Sequence, residues 1–145
     1  MQKRSRNRLF IFTAIVLCGF LTAYFIWNKP HQDVKSADAL SVDAVSLYNS
    51  FINDSANAKS TYLNKVVKVS GVVDKVSLNQ QHQQIILLNT SVAGASINCT
   101  MEESSNMIKP RDKVLVKGVC SGYIPGDAEM GIPGDVVLTR SYAVK

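Results

Sequence analysis

The chain has 145 residues and a formal net charge of +5, which at first suggests a nucleic-acid binder. The charge is uneven, because residues 1–8 contribute +4 while residues 36–145 carry ten basic and ten acidic side chains. A neutral domain lacks the counterion release that drives affinity for polyphosphate, so the composition excludes a globally basic nucleic-acid binder.

The first predicted element is a single transmembrane helix. Leu9 to Trp27 is a run of 19 residues without a charge, which at about 1.5 Å per residue reaches across roughly 30 Å of hydrocarbon. Four basic residues and no acid precede it, so residues 1–8 are predicted to be a cytoplasmic tail. No small-x-small site directly follows the run, which favours an uncleaved anchor over a signal peptide. We therefore expect a single-pass protein of the bacterial inner (cytoplasmic) membrane, with its C-terminal domain on the periplasmic, extracytoplasmic side.

A polar segment at residues 28–39 contains Pro30 and reads as a linker. Residues 40–145 are enough for one hydrophobic core. Ser41 is predicted to cap a helix that has Asp43 in its first turn, and a second short helix is predicted over residues 56–62. The predicted apolar face of the first helix comprises Val42, Val45, Tyr48, Phe51 and Ile52.

Strand patterns begin at Val66 and recur to the end of the chain. Segments rich in β-branched and apolar residues predict strands over residues 66–76, 85–88, 95–100, 113–120 and 136–144. A short helix or turn is predicted over residues 101–108, before Pro110. Gly71 and Gly118 lie in the middle of the first and fourth strands, where glycine marks a bulge or bend. This pattern predicts a mainly β fold, a five-stranded OB-fold barrel with short N-terminal helices.

Several short motifs resemble the tRNA-anticodon-like (tRNA_anti-like) OB family of small membrane-anchored bacterial envelope proteins. They are Asp54-x-Ala56, Tyr62-x-x-Lys65, Val69-x-Gly71-x-Val73, a single cysteine in the third strand, Lys117-Gly118-x-Cys120-x-Gly122 and Gly134-Asp135-Val136-Val137-Leu138. The similarity spans about residues 47–145. It implies the fold and an envelope location, but no substrate and no catalytic residues.

The predicted second and third strands argue against single-stranded nucleic acid as the ligand. OB-folds that bind it stack bases on aromatic side chains of these strands, beside a basic groove. Neither strand contains an aromatic or basic residue, and Tyr123 is the one ring near the usual binding edge. A tyrosine in such a loop is more often an anchor of the loop than a stacking platform.

Two polar loops hold the weak binding candidates. Gln80, His82 and Gln84 lie in an amide-rich loop that is able to hydrogen-bond a polar ligand, although a solvated hairpin turn explains the same residues and is favoured. Asp127 lies in the last loop, where it, Glu129 and Asp135 are able to surround a cation, but their spacing fits no dedicated metal loop. His82 has no partner at zinc-ligand spacing. We therefore predict no metal and no cofactor.

Cys99 and Cys120 form the pair that remains after Cys18, which lies in the predicted anchor. In an oxidising compartment such a pair favours one disulfide, and the alternative is two buried free thiols.

These observations predict a membrane-anchored, extracytoplasmic OB-fold binding module whose partner is a protein or an envelope polymer. The alternative is a structural or assembly subunit of a membrane complex, to which the anchor helix itself contributes contacts. Binding of single-stranded nucleic acid is a less favoured reading. An enzyme is also disfavoured, because the sequence shows no nucleophile or metal motif, and the adjacent Glu102 and Glu103 would not converge easily on one substrate.

Overall fold

The structure is a computed structural model that describes residues 17–22, 24 and 33–144. The chain divides into two compact units, with the boundary between Asp33 and Val34. The predicted tail at residues 1–8 and most of the predicted anchor Leu9–Trp27 lie outside the described residues, whereas residues 17–22 and 24 are helical. Within the described part of the chain, no helix has the length and apolar character needed to cross a membrane.

The second unit begins earlier than the sequence predicts. Val34 is only 3% exposed and packs against Val66 and Val119, with Tyr142 at the margin of this small cluster. Residues 34–39 of the predicted linker are therefore part of the folded unit.

The N-terminal elements are a short strand β1 (Leu40–Asp43) and two helices, α1 (Ala44–Asn53) and α2 (Ser55–Tyr62). Asp43, not Ser41, is the N-cap of α1, because its extended backbone lets a carboxylate oxygen accept a hydrogen bond from the Ser46 amide at 3.0 Å. Hydrogen bonding to Ser46, first with its side chain and then with its amide, holds the pKa of Asp43 below its ordinary value.

This later start of the helix changes which of its faces is buried. Counting three, four and seven residues from Ala44 gives Leu47, Tyr48 and Phe51, and all four are buried. The predicted apolar face was wrong at Val45 and Ile52, which are 38% and 50% exposed. Val42 belongs to β1 and not to the helix.

Five further strands close the barrel. They are β2 (Val66–Leu78), β3 (Gln84–Asn89), β4 (Ser96–Met101), β5 (Lys113–Ile124) and β6 (Asp135–Val144). The strand order is β1-β2-β3-β4-β6-β5, and an additional β2–β5 pairing joins the two sides. The long strand β2 bends so that residues 66–72 pair with β5 while residues 73–78 pair with β3. The predicted five-stranded barrel with short N-terminal helices is confirmed, and β1 adds a sixth strand parallel to β2.

The two mid-strand glycines are sites of close packing. A Cβ at Gly71 would lie 3.0 Å from Cβ of Ala44, so the glycine lets α1 approach β2. Gly118 faces the barrel interior opposite Ser141, at a register irregularity between β5 and β6.

The segment between β4 and β5 contains no helix, so the turn was the correct alternative for residues 101–108. The side chain of Gln84 on β3 binds this segment twice: Nε2 donates to the Ser105 carbonyl at 3.0 Å, and Oε1 accepts from the Ser105 amide at 2.7 Å. These bonds satisfy the backbone of Ser105 outside a helix, and serine favours such turns over helix interiors.

Cys99 and Cys120 are buried free thiols, which contradicts the predicted disulfide. The topology supplies the reason, because Leu138 on β6 pairs with Cys99 on one side and with Cys120 on the other. Since neighbouring strands are about 4.8 Å apart, the two α-carbons are on the order of 10 Å apart, whereas a disulfide needs less than about 7 Å.

Candidate functional site

Gln80 and His82 lie in the tight turn between β2 and β3 and are exposed. The turn is organised by Asn79, whose Oδ1 accepts from the amides of Gln81 and Gln83, both at 2.9 Å. His82 adopts a positive φ of 60° to complete the turn. This geometry is that of a solvated hairpin turn. Gln84 is buried, and its side chain is hydrogen-bonded to the backbone of Ser105.

Tyr123 lies near the end of β5, and Asp127 lies in the loop that follows this strand. Both are at the other end of the barrel. The Tyr123 ring is stacked on Phe51 at a centroid distance of 6.5 Å and lies edge-on to Tyr48 at 6.2 Å. Burial, and then the neighbouring Tyr123, raise the pKa of Tyr48. Tyr123 is therefore an anchor between barrel and helix, not an exposed stacking platform.

Two of the three carboxylates considered for a cation, those of Asp127 and Asp135, accept hydrogen bonds from the protein itself. Asp127 Oδ1 accepts from the amides of Glu129 and Met130 at 2.9 and 3.1 Å. Asp135 Oδ1 accepts from the Ser96 amide and hydroxyl at 2.8 and 2.9 Å. Among the described residues, no three His, Cys, Asp or Glu side chains are placed to hold a metal ion.

The strand register shows that the five predicted candidates do not form one site. The β2–β3 turn follows the Leu78–Gln84 pair, while the β5–β6 loop follows the Ile124–Asp135 pair. Because β3, β4 and β6 connect these pairs in sequence along the sheet, the two loops lie at opposite ends of the barrel.

A groove lies on the outer surface of β2, β5 and β6. It has a volume of about 1000 Å³. One wall is the β4–β5 segment that Gln84 holds in place, and another is the N-terminal segment at Lys35. The lining combines four lysines and one glutamate with three serines and several apolar or aromatic side chains. Its members are Lys35, Lys68, Ser70, Glu103, Ser104, Ser105, Met107, Ile108, Lys113, Val114, Leu115, Lys117, Tyr142, Ala143 and Val144. We call this the lysine groove.

The floor of the lysine groove is a row of three side chains across three strands. Lys68 on β2 pairs directly with Lys117 on β5, which in turn pairs with Tyr142 on β6. Side chains at paired positions lie within about 5 Å of one another at Cβ, and like charges placed there destabilise a sheet. The direct Lys68–Lys117 pair thus concentrates positive charge on the groove floor.

Lys35 and Glu103 close the rim of the groove. Lys35 Nζ forms an ion pair with Glu103 and lies 4.7 Å from the centre of the Tyr142 ring. Lys117 Nζ donates to the carbonyl of Lys35 at 2.8 Å, which ties the N-terminal segment to the floor. Four lysines against one glutamate leave the groove positively charged, although the domain as a whole is neutral.

A family model matches residues 1–130 of the sequence, and its description is tRNA_anti-like. The chain belongs to the tRNA_anti-like family. Among solved structures, a proposed nucleic acid-binding lipoprotein from Klebsiella pneumoniae subsp. pneumoniae MGH 78578 is similar at 20% identity and a TM-score of 0.47, covering 81% of this chain and 100% of that one. A proposed aspartyl-tRNA synthetase from Leishmania major Friedlin is similar at 9% identity and a TM-score of 0.44, covering 86% of this chain and 25% of that one. No curated protein matches the chain.

The lysine groove of this tRNA_anti-like domain was not predicted from the sequence. One signal was present: Lys68 lies between the buried residues Val67 and Val69, and Lys117 lies between Val116 and Gly118, so alternation places both lysines outside the barrel. What the sequence did not contain was the β2–β5 register, which places the two lysines directly side by side.

Proposed function

We propose that this protein is an OB-fold binding module that holds an anionic ligand in the lysine groove. The single observation that carries the proposal is the Lys68–Lys117 pair on the groove floor, because an anion bound between two neighbouring lysines relieves their repulsion. The ligand is carried by a protein or an envelope polymer.

The binding test uses the full-length chain in a neutral detergent, titrated at low salt with two fluorescent anions, poly-L-glutamate and inorganic polyphosphate. At least one of them should bind, and the double substitution Lys68→Gln/Lys117→Gln should weaken that binding at least about tenfold. Each hydrogen bond to a charged group contributes roughly 1.5–3 kcal/mol, and about 1.4 kcal/mol corresponds to a factor of ten.

The matched control is Lys59→Gln/Lys75→Gln, which removes the same charge from two exposed lysines that do not line the groove. It should leave most of the affinity intact. Equal losses from both double variants, or no binding of either anion, would refute the proposal.

We further propose that the uncharged run Leu9–Trp27 tethers the module to the cytoplasmic membrane, with the groove on the extracytoplasmic side. The support is the sequence, where Lys3, Arg4, Arg6 and Arg8 precede the run. Protease added to spheroplasts should therefore digest the C-terminal domain while a cytoplasmic marker protein survives. Digestion of the C-terminal domain only after the cells are lysed would contradict the proposed orientation.

A further inference from the structure

The lysine groove already contains an anion that belongs to the protein itself. The carboxylate of Glu103 lies against Lys35 Nζ at the rim, where the two side chains are 67% and 52% exposed. Ion pairs with this degree of exposure are weak and exchange readily with competing ions. Glu103 thus shows which chemical group the rim accepts and occupies the place that a ligand would need.

The groove surface beside this carboxylate is apolar. Leu115 and Val144 pair across β5 and β6 on the floor. Met107, on the wall formed by the β4–β5 segment, is 74% exposed. A polyphosphate or another purely ionic chain would leave this apolar surface in contact with water, whereas a peptide that carries apolar side chains between its carboxylates would cover it.

From these two features we infer that the ligand of the lysine groove is an acidic peptide segment with interspersed apolar residues, and that one of its carboxylates displaces Glu103 from Lys35. This inference rests on the proposed function and narrows it to one class of partner. The peptide carboxylates bind at Lys35 and at the Lys68–Lys117 pair, and its apolar side chains cover Leu115, Val144 and Met107. Charge complementarity between the lysines and the acidic segment determines the choice of partner.

The variant Glu103→Gln tests the displacement step. It removes the internal competitor, so the affinity of the full-length chain for a short labelled peptide of alternating Glu and Leu should rise roughly twofold to fivefold, the range expected for an exposed ion pair. Glu102→Gln is the matched control, because it makes the same change of charge at the neighbouring residue, which does not line the groove. An equal rise in both variants would reflect net charge alone and would overturn the displacement.

The ligand class is tested with the same protein and three further probes. A peptide of alternating Glu and Ser and one of alternating Gln and Leu should each bind at least several-fold more weakly than the Glu/Leu peptide. Met107→Ser should weaken the Glu/Leu peptide and leave polyphosphate unaffected. Polyphosphate that binds as tightly as the Glu/Leu peptide at matched charge would overturn the peptide assignment while the anion-binding function stands. If neither poly-L-glutamate nor polyphosphate binds, the proposed function itself fails.

Discussion

Replacing Phe51 by alanine is expected to lower the free energy of unfolding by about 3–5 kcal/mol, the usual range for a large aromatic side chain removed from a core. Phe51 is 2% exposed and packs between Tyr62 of α2 and Tyr123 of β5, so it connects both helices to the barrel. For a domain of this size, a loss of 1 kcal/mol lowers Tm by roughly 4–8 °C. Thermal unfolding of the full-length chain in detergent, followed by near-ultraviolet circular dichroism, measures the loss.

The neighbouring residue Ile52 supplies the control for this experiment. Its side chain is 50% exposed, so Ile52→Ala should change the free energy of unfolding by no more than about 0.5 kcal/mol. Comparing the two variants also tests the helix start at Ala44, because the apolar face predicted from the sequence included both Phe51 and Ile52. Similar losses from the two variants would contradict the observed rotation of α1.

Gly118→Ala is expected to cost about 1–3 kcal/mol of stability, since the new methyl group would overpack the barrel interior. Its Cβ would collide with Oγ of Ser141 and lie 3.2 Å from both the Ser141 Cβ and the Thr139 carbonyl oxygen. Ser141 is fully buried, and its hydroxyl has no hydrogen-bond partner among the described residues. Removing an unpartnered buried hydroxyl is neutral or stabilising, so Ser141→Ala alone should not destabilise the protein.

The double variant decides whether the collision with Ser141 is the cause. In the Ser141→Ala background the cost of Gly118→Ala should fall by on the order of 1 kcal/mol, because the atom in closest contact is gone. The four proteins form a double-mutant cycle whose coupling energy is read from urea unfolding midpoints. Additive losses would show that the strain at Gly118 comes from the backbone of β6 instead.

The sequence predicted the barrel well because its strands are rich in β-branched and apolar residues. Each of the five predicted strands is present, and its ends are displaced by two residues at most, except at β5, which extends to Ile124. Local composition is sufficient for this, since β-branched residues are enriched in strands.

Features that depend on non-local pairing were predicted poorly. The sequence could not place Leu138 between Cys99 and Cys120, nor show that Gln84 would reach a carbonyl 21 residues away. The lysine groove has the same origin, because the register alone brings Lys68 beside Lys117. The helix cap was a local feature but an ambiguous one, since Ser41 and Asp43 both suit an N-cap and the pairing of Leu40–Asp43 with β2 decides between them.

The burial of Cys99 and Cys120 on either side of β6 affects the chemical reactivity of their thiols. Burial raises the pKa of both Cys99 and Cys120, so few thiolates form, and it is the thiolate that reacts with oxidants and with other thiols. In the folded domain both thiols are therefore expected to react slowly with oxidants and with other thiols.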